Sequence, residues 1–214
     1  MEDLTFEEVR IIGTLIEKEL TTPEYYPLTV NSLMNACNQK TNRDPVVSFD
    51  EKIIETTLDS LRSKALARRV TGSDIRVAKY RQSFTEKLNL SPEETAIMCV
   101  LMLRGAQTTG EIKGRTGRMF NFESLARVEE ILKNLMELEN PLIVKLPRQT
   151  GMKESRYAHL LSGMPDTEKS NDQKDSAATN EQNKIEELQK EHELLKTKLE
   201  DLKNQFEKFK KQFE

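Results

Sequence analysis

The stretch SFDEKIIETTLDSLRSKALARRVTGSDIRVAKYR, from Ser48 to Arg81, decides how the rest of the chain is read. Ser48 is placed to cap a helix in which Ile53, Ile54, Leu58, Leu61, Ala65 and Leu66 recur at helical spacing. The helix runs straight into two strand-like pieces, Ala67 to Val70 and Ile75 to Tyr80, separated by the turn formers Thr71-Gly72-Ser73-Asp74. A helix followed at once by a hairpin is the back half of a winged helix.

Upstream, the missing helices can be found. Thr5 precedes Phe6-Glu7-Glu8, a helix start with acids in its first turn, and Val9, Ile12, Leu15, Ile16 and Leu20 form a stripe that Thr21-Thr22-Pro23 breaks. Glu24-Tyr25-Tyr26-Pro27-Leu28 is a loop able to fold its tyrosines onto the core. Thr29 then caps a second helix bearing Val30, Leu33, Met34 and Cys37, and polar residues Asn38 to Pro45 link it to the third. Residues 1–83 are thus expected to hold three helices and a wing.

Downstream, the order starts again. Leu90-Ser91-Pro92-Glu93-Glu94 echoes Leu4-Thr5-Phe6-Glu7-Glu8, with Pro92 at the favoured first helical position and Ile97, Val100, Leu101 and Leu103 as the stripe. Gly105 ends that helix, Thr109 is placed to cap a short one over Glu111 to Gly117, and Glu123 to Leu138 reads as a third. Leu142 to Leu146 and Arg156 to Leu160 form the second hairpin around Pro147-Arg148-Gln149-Thr150-Gly151-Met152-Lys153. The repeat argues for a tandem duplication, with a second winged helix over residues 84–163.

From Met164 to Asn183 apolar residues all but vanish, as expected of a flexible linker over residues 164–183. Ile185, Leu188, His192, Leu195, Leu199, Leu202, Phe206, Phe209 and Phe213 then recur in steps of three and four, an a/d seam over residues 184–214. A lone amphipathic helix of that length is marginal, so the expected coiled coil calls for a second copy or another protein. The expected class is mainly α with small β-hairpin wings (α+β): two tandem winged-helix domains plus a C-terminal coiled-coil helix.

Composition narrows the function. With 36% hydrophobic and 32% charged residues the 214-residue chain is an ordinary soluble mixture, and its acidic start lacks the features of a signal peptide, so a cytoplasmic protein with no membrane role is expected. Cys37 and Cys99 stand alone on apolar faces and read as packed thiols; with only His159 and His192 besides, no metal set assembles by spacing. No P-loop, dinucleotide fingerprint or HExxH is present, so the expectation is no enzyme, no cofactor and no catalytic residue. Acidic pairs such as Glu7-Glu8, Glu93-Glu94 and Glu129-Glu130 read as complements to helix dipoles or as solvated faces.

A net charge of −3 gives no global attraction to nucleic acid, which leaves local patches. Both third helices are acidic, whereas cations gather on the wings: Arg68, Arg69, Arg76, Lys79 and Arg81 on the first, Lys145, Arg148, Lys153 and Arg156 on the second. Lys113, Arg115 and Arg118 add a basic second helix, and Lys40 and Arg43 mark the loop before the first domain's third helix. These residues are the candidates for non-specific contact with double-stranded DNA. The competing expectation is a protein-interaction scaffold that never meets DNA.

Tyr26-Pro27-Leu28-Thr29, Asn35-Ala36-Cys37-Asn38-Gln39-Lys40, Asn42-Arg43-Asp44-Pro45-Val46 and Ala67 to Tyr80 resemble the YceH-like family of uncharacterised bacterial proteins. In the second half Leu103-Arg104-Gly105-Ala106-Gln107-Thr108, Leu146-Pro147-Arg148-Gln149 and Arg156-Tyr157-Ala158-His159-Leu160 extend the resemblance to about residue 163. The resemblance implies a tandem winged-helix architecture and brings no activity, substrate or catalytic residue.

The seam behind a linker predicts an association element separable from the globular part. Removing residues 164–214 should leave the melting transition of the remainder nearly unchanged and lower the oligomeric state measured by light scattering. An unchanged stoichiometry would assign association to residues 1–163 instead.

Overall fold

The computed structural model describes residues 3–70, 77–148 and 154–164, together with Lys196. The tips of both hairpins and nearly all of the seam, with Arg76, Lys153 and every proposed a/d residue, lie outside the described residues. Met1–Pro165 belong to one compact unit.

Helix starts follow local chemistry. Helix α1 (Phe6–Thr21) begins at Thr5, whose Oγ1 accepts from the Glu8 N–H at 3.3 Å while Glu8 Oε2 accepts from the Thr5 N–H at 2.8 Å. The same reciprocal bond pair starts α5 (Pro92–Arg104) through Ser91 and Glu94, and α6 (Thr109–Thr116) through Thr108 and Glu111. The cap of α6 is therefore Thr108 and not Thr109. Helix α2 (Val30–Cys37) is capped by Thr29 as expected.

Helix α3 spans Glu51–Ser63 and starts at Asp50, not Ser48, because both backbone groups of Phe49 are bonded to the side chain of Asn38 at 2.8 Å. Ala65, counted above in the apolar stripe, lies beyond the helix with φ 53° and is exposed. Helix α7 is Leu125–Glu137, capped by Ser124. A further short helix, α4 (Phe84–Leu88), was not legible because five residues show no period, yet its Phe84 is fully buried.

The strands complete an α+β fold. Strand β1 (Leu28–Thr29), β2 (Ala67–Val70) and β3 (Lys79–Gln82) form an antiparallel sheet of order β1-β3-β2, with Arg68 opposite Arg81 and Thr29 opposite Lys79. The second hairpin strand overlaps the expected Ile75 to Tyr80 at Lys79 and Tyr80 and runs on to Gln82; Val77 and Ala78 are not strand, and Ile75 and Arg76 lie outside the described residues. Strands β4 (Ile143–Lys145) and β5 (Tyr157–His159) pair antiparallel, and Gln107 adds an isolated bridge to Tyr157.

Helices α1 and α5 are buried on all sides, continuously from Glu8 to Ile16 and from Thr95 to Leu103. They pack against each other, and α1 also packs against α2 and α3, α5 against α6, α7 and β5. One hydrophobic core therefore runs from Leu4 to Leu161, and the Leu4 N–H donates to Leu161 O at 2.7 Å. Gly13 sits where the two helices cross: a Cβ there would lie 3.0 Å from Leu103 Cδ2 and 3.1 Å from Met102 Cβ. Among the described residues no helix is long and apolar enough to cross a membrane.

Replacing Gly13→Leu puts a good helix former where there is no room, so any loss comes from packing rather than helix propensity. The expected cost is about 1–3 kcal/mol, seen as a lower midpoint in urea.

Candidate nucleic-acid interface

The first sheet brings four candidate cations together. Alternation along β2 fails, because Arg68 and Arg69 are both exposed while Ala67 is buried. Arg68 and Arg81 face each other across the ladder, a like-charge pair that needs compensation. Helix α4 supplies it. Arg68 and Arg81 each reach Glu86 with Nη2, Arg81 at 3.0 Å, and Arg68 Nε also donates to Ser83 Oγ at 2.6 Å. Arg69 is exposed and makes no bond to the described residues, and Lys79 is half-buried beside β1.

The second hairpin is differently wired. Lys145 is exposed, opposite Tyr157, with its Nζ 5.7 Å from that ring's centroid, and Arg148 is exposed just beyond β4. Arg156 is half-buried; its Nη1 donates to Ala106 O at 3.1 Å, and its Nη2 lies 4.0 Å from Glu111.

Arg43 departs from the surface role expected of it. Its side chain has no exposure, and its guanidinium bonds Glu17 at 2.6 and 3.1 Å and Ala36 O at 3.0 Å. The reason is tertiary: the loop after α2 turns inward, and the Asp44 N–H donates to Leu103 O at 2.9 Å, carrying Arg43 under the surface. Burial pushes the Glu17 carboxyl up, but the Arg43 bond and charge outweigh it and hold the group below the usual carboxylate range. Arg10, not anticipated at all, is fully buried beside it; Nη2 donates to Pro45 O at 2.7 Å and the guanidinium lies 5.3 Å from the Phe6 ring centroid. Burial, then the charge of Arg43, lowers its affinity for the proton.

Glu7, Glu8, Glu93 and Glu94 stand in first helical turns as expected, and two of them also tie helices together. Glu8 is 1% exposed and holds Ser60 Oγ and Lys64 Nζ, each at 2.8 Å, so it ties α1 to α3 rather than facing water. Glu93 takes Arg127 Nε at 2.8 Å, tying α5 to α7. Cys37 and Cys99 are free and buried; burial pushes the Cys37 thiol up to about 11 and raises that of Cys99 further.

The remaining candidates converge elsewhere. Lys40, Arg115 and Arg118 line a cleft of about 600 Å³ between the ends of α1, α5 and α6 and the loop after α2. Lys18 and Arg104 join them there, and no local pattern could have shown it, since the five cations come from distant parts of the chain. Lys113, on α6, is half-buried and is not among the cleft's lining residues.

The chain is therefore an α+β protein with paired basic hairpins and a cationic cleft. It belongs to the DUF480 family, described as a protein of unknown function, which matches residues 4–152. It is 56% identical over 156 residues to a UPF0502 protein of Solibacter usitatus, covering 73% of this chain and 74% of the relative. A UPF0502 protein of Citrifermentans bemidjiense is 56% identical over 159 residues, 74% of each chain.

Substituting Arg43→Met breaks a buried pair and should cost about 3 kcal/mol, the low end of the range because Lys18 stays 3.6 Å from Glu17. Urea denaturation measures it, with Lys40→Met in the same loop expected to change little. Because the Glu17 pKa is depressed on folding, its contribution is full above the unfolded carboxylate value of about 4.3 and is lost as pH falls through the lower folded value. Stability of Glu17→Gln should therefore fall less steeply than wild type in that acid window.

Proposed function

We propose that this is a non-enzymatic, cytoplasmic tandem winged-helix protein that associates with double-stranded DNA through its basic hairpins, as a regulatory or DNA-organising module. In this proposal residues 1–83 and 84–163 are the two winged helices, 164–183 a linker and 184–214 a coiled-coil helix that joins a second copy or a partner protein. The observation that carries it is the repeated order of elements. The sequence α1, β1, α2, α3, β2, β3 recurs as α5, the Gln107 bridge, α6, α7, β4, β5, and each time a threonine caps the next helix, Thr29 as the last residue of β1 and Thr108 directly after the bridge. Exposed acids on α3 and α7 disfavour groove insertion, while Arg69, Lys145 and Arg148 stay exposed on or beside the hairpin strands.

The second reading is a protein-interaction scaffold. It draws on Leu125, at the start of α7, and Leu138, just past its end, which are 50% and 40% exposed near the exposed acids Glu129, Glu130 and Glu137.

Binding to a mixed-sequence duplex, followed by fluorescence anisotropy across a salt series, separates the two. The double variant Arg69→Ala, Arg148→Ala should bind every sequence more weakly and flatten the salt slope by about 1.8 units, two phosphate contacts' worth. A wild-type protein that ignores the duplex at low salt would favour the scaffold.

A further inference from the structure

We infer that the cleft between the ends of α1, α5 and α6 is a binding site for the polyphosphate group of a compact ligand. This goes beyond the DNA reading and does not depend on it. Lys18, Lys40, Arg104, Arg115 and Arg118 line the cleft, against a single lining carboxylate, Glu17. That carboxylate is held by Arg43 at 2.6 Å, a residue behind the cleft wall whose side chain is wholly buried, and lies 3.6 Å from Lys18; Arg115 meets Glu111 at 3.4 Å outside the lining, which leaves Lys40, Arg104 and Arg118 with no carboxylate partner among the described residues. The lining therefore carries a strong positive excess in a concave, partly desolvated space, where charges repel one another more than they would in open water. Arg104 bears the mark of this: burial, then the charge of Arg115, weakens its hold on the proton.

Packing does not account for the open space. Gly114 and Gly117 both line the cleft, and a Cβ at Gly114 would meet nothing within 4 Å. The volume of about 600 Å³ is that of a small-molecule site. A duplex offers a convex backbone with its phosphates spread along it, whereas several charges on one short chain of phosphates match cations that converge from separate elements. Two sources share this chemistry, inorganic polyphosphate and a nucleoside polyphosphate. A neighbouring groove of about 550 Å³ shares Lys18, Thr22 and Gln39 with the cleft and is lined by Tyr25, Pro27 and Leu28, which gives a base an apolar surface.

Calorimetric titration of the full chain with inorganic tripolyphosphate and, separately, with ATP tests the inference. Both should bind, and Lys40→Ala and Arg118→Ala should each weaken binding about tenfold, since both side chains are exposed and lost charge-assisted bonds are of that size. Lys133→Ala, exposed on α7 and outside the cleft, should leave binding unchanged, and melting curves check that each variant is folded. Equal affinities would assign the site to the phosphate chain alone; tighter ATP binding, weakened by Tyr25→Ala, would extend it into the groove. The inference is overturned if neither probe binds, if Lys133→Ala weakens binding as much as the cleft variants, or if only a single-stranded oligonucleotide binds.

Discussion

The crossing of α1 and α5 at Gly13 is the contact on which the remaining arrangement depends. With no side chain at that position the two backbones come close enough for Leu103 and Met102 to fill the crossing, and each helix then lies at the centre of the unit instead of on its surface. Everything else is packed on this pair. α2 and α3 cover α1, while α6, α7 and β5 cover α5, and two ion pairs repeat the same logic, Glu8 with Lys64 and Glu93 with Arg127. In both cases a carboxylate in the first turn of the central helix holds a basic side chain from a helix packed against it.

The loop after α2 depends on that crossing in turn. It is tied to α5 by Asp44 N–H to Leu103 O and by Arg104 to Asn42, and to α1 by Arg43 and Arg10. Two buried guanidiniums beside each other cost solvation: Glu17 and the carbonyl oxygens of Ala36, Asn42 and Pro45 offset part of it, while Arg10 Nε and Nη1 and Arg43 Nε have no partner among the described residues. The consequence is functional as well as structural. By drawing Arg43 inward onto Glu17, which Lys18 shares at 3.6 Å, the loop leaves Lys40 and Arg104 around an open cleft with no carboxylate partner among the described residues.

On the hairpins the opposite happens. Helix α4 places Glu86 between Arg68 and Arg81, so charge that looks abundant in a sequence count is partly consumed within the protein. Among the described residues, the hairpin cations left without an acidic partner and exposed are fewer than composition suggests: Arg69, Lys145 and Arg148. Net charge on an element is thus a poor guide to the charge it presents; the partner set decides.

How much was legible depended on whether a feature was local. The caps of α1, α2 and α5, the end of α5 at Gly105, the strand at Ala67 to Val70 and the second hairpin were readable because each is written within a few neighbouring residues. The start of α3 was misread because Asn38, on another element, holds Phe49 extended, and α4 was missed because a single turn has no periodicity. Periodicity also understated α1 and α5, since a helix covered on every side has no polar face to reveal its orientation. The cleft and the burial of Arg43 had no local signature. Sequence by itself determined which segments become helix and strand; only tertiary structure decided which charges are spent inside the protein and which face outward, because that depends on side chains brought together from distant positions.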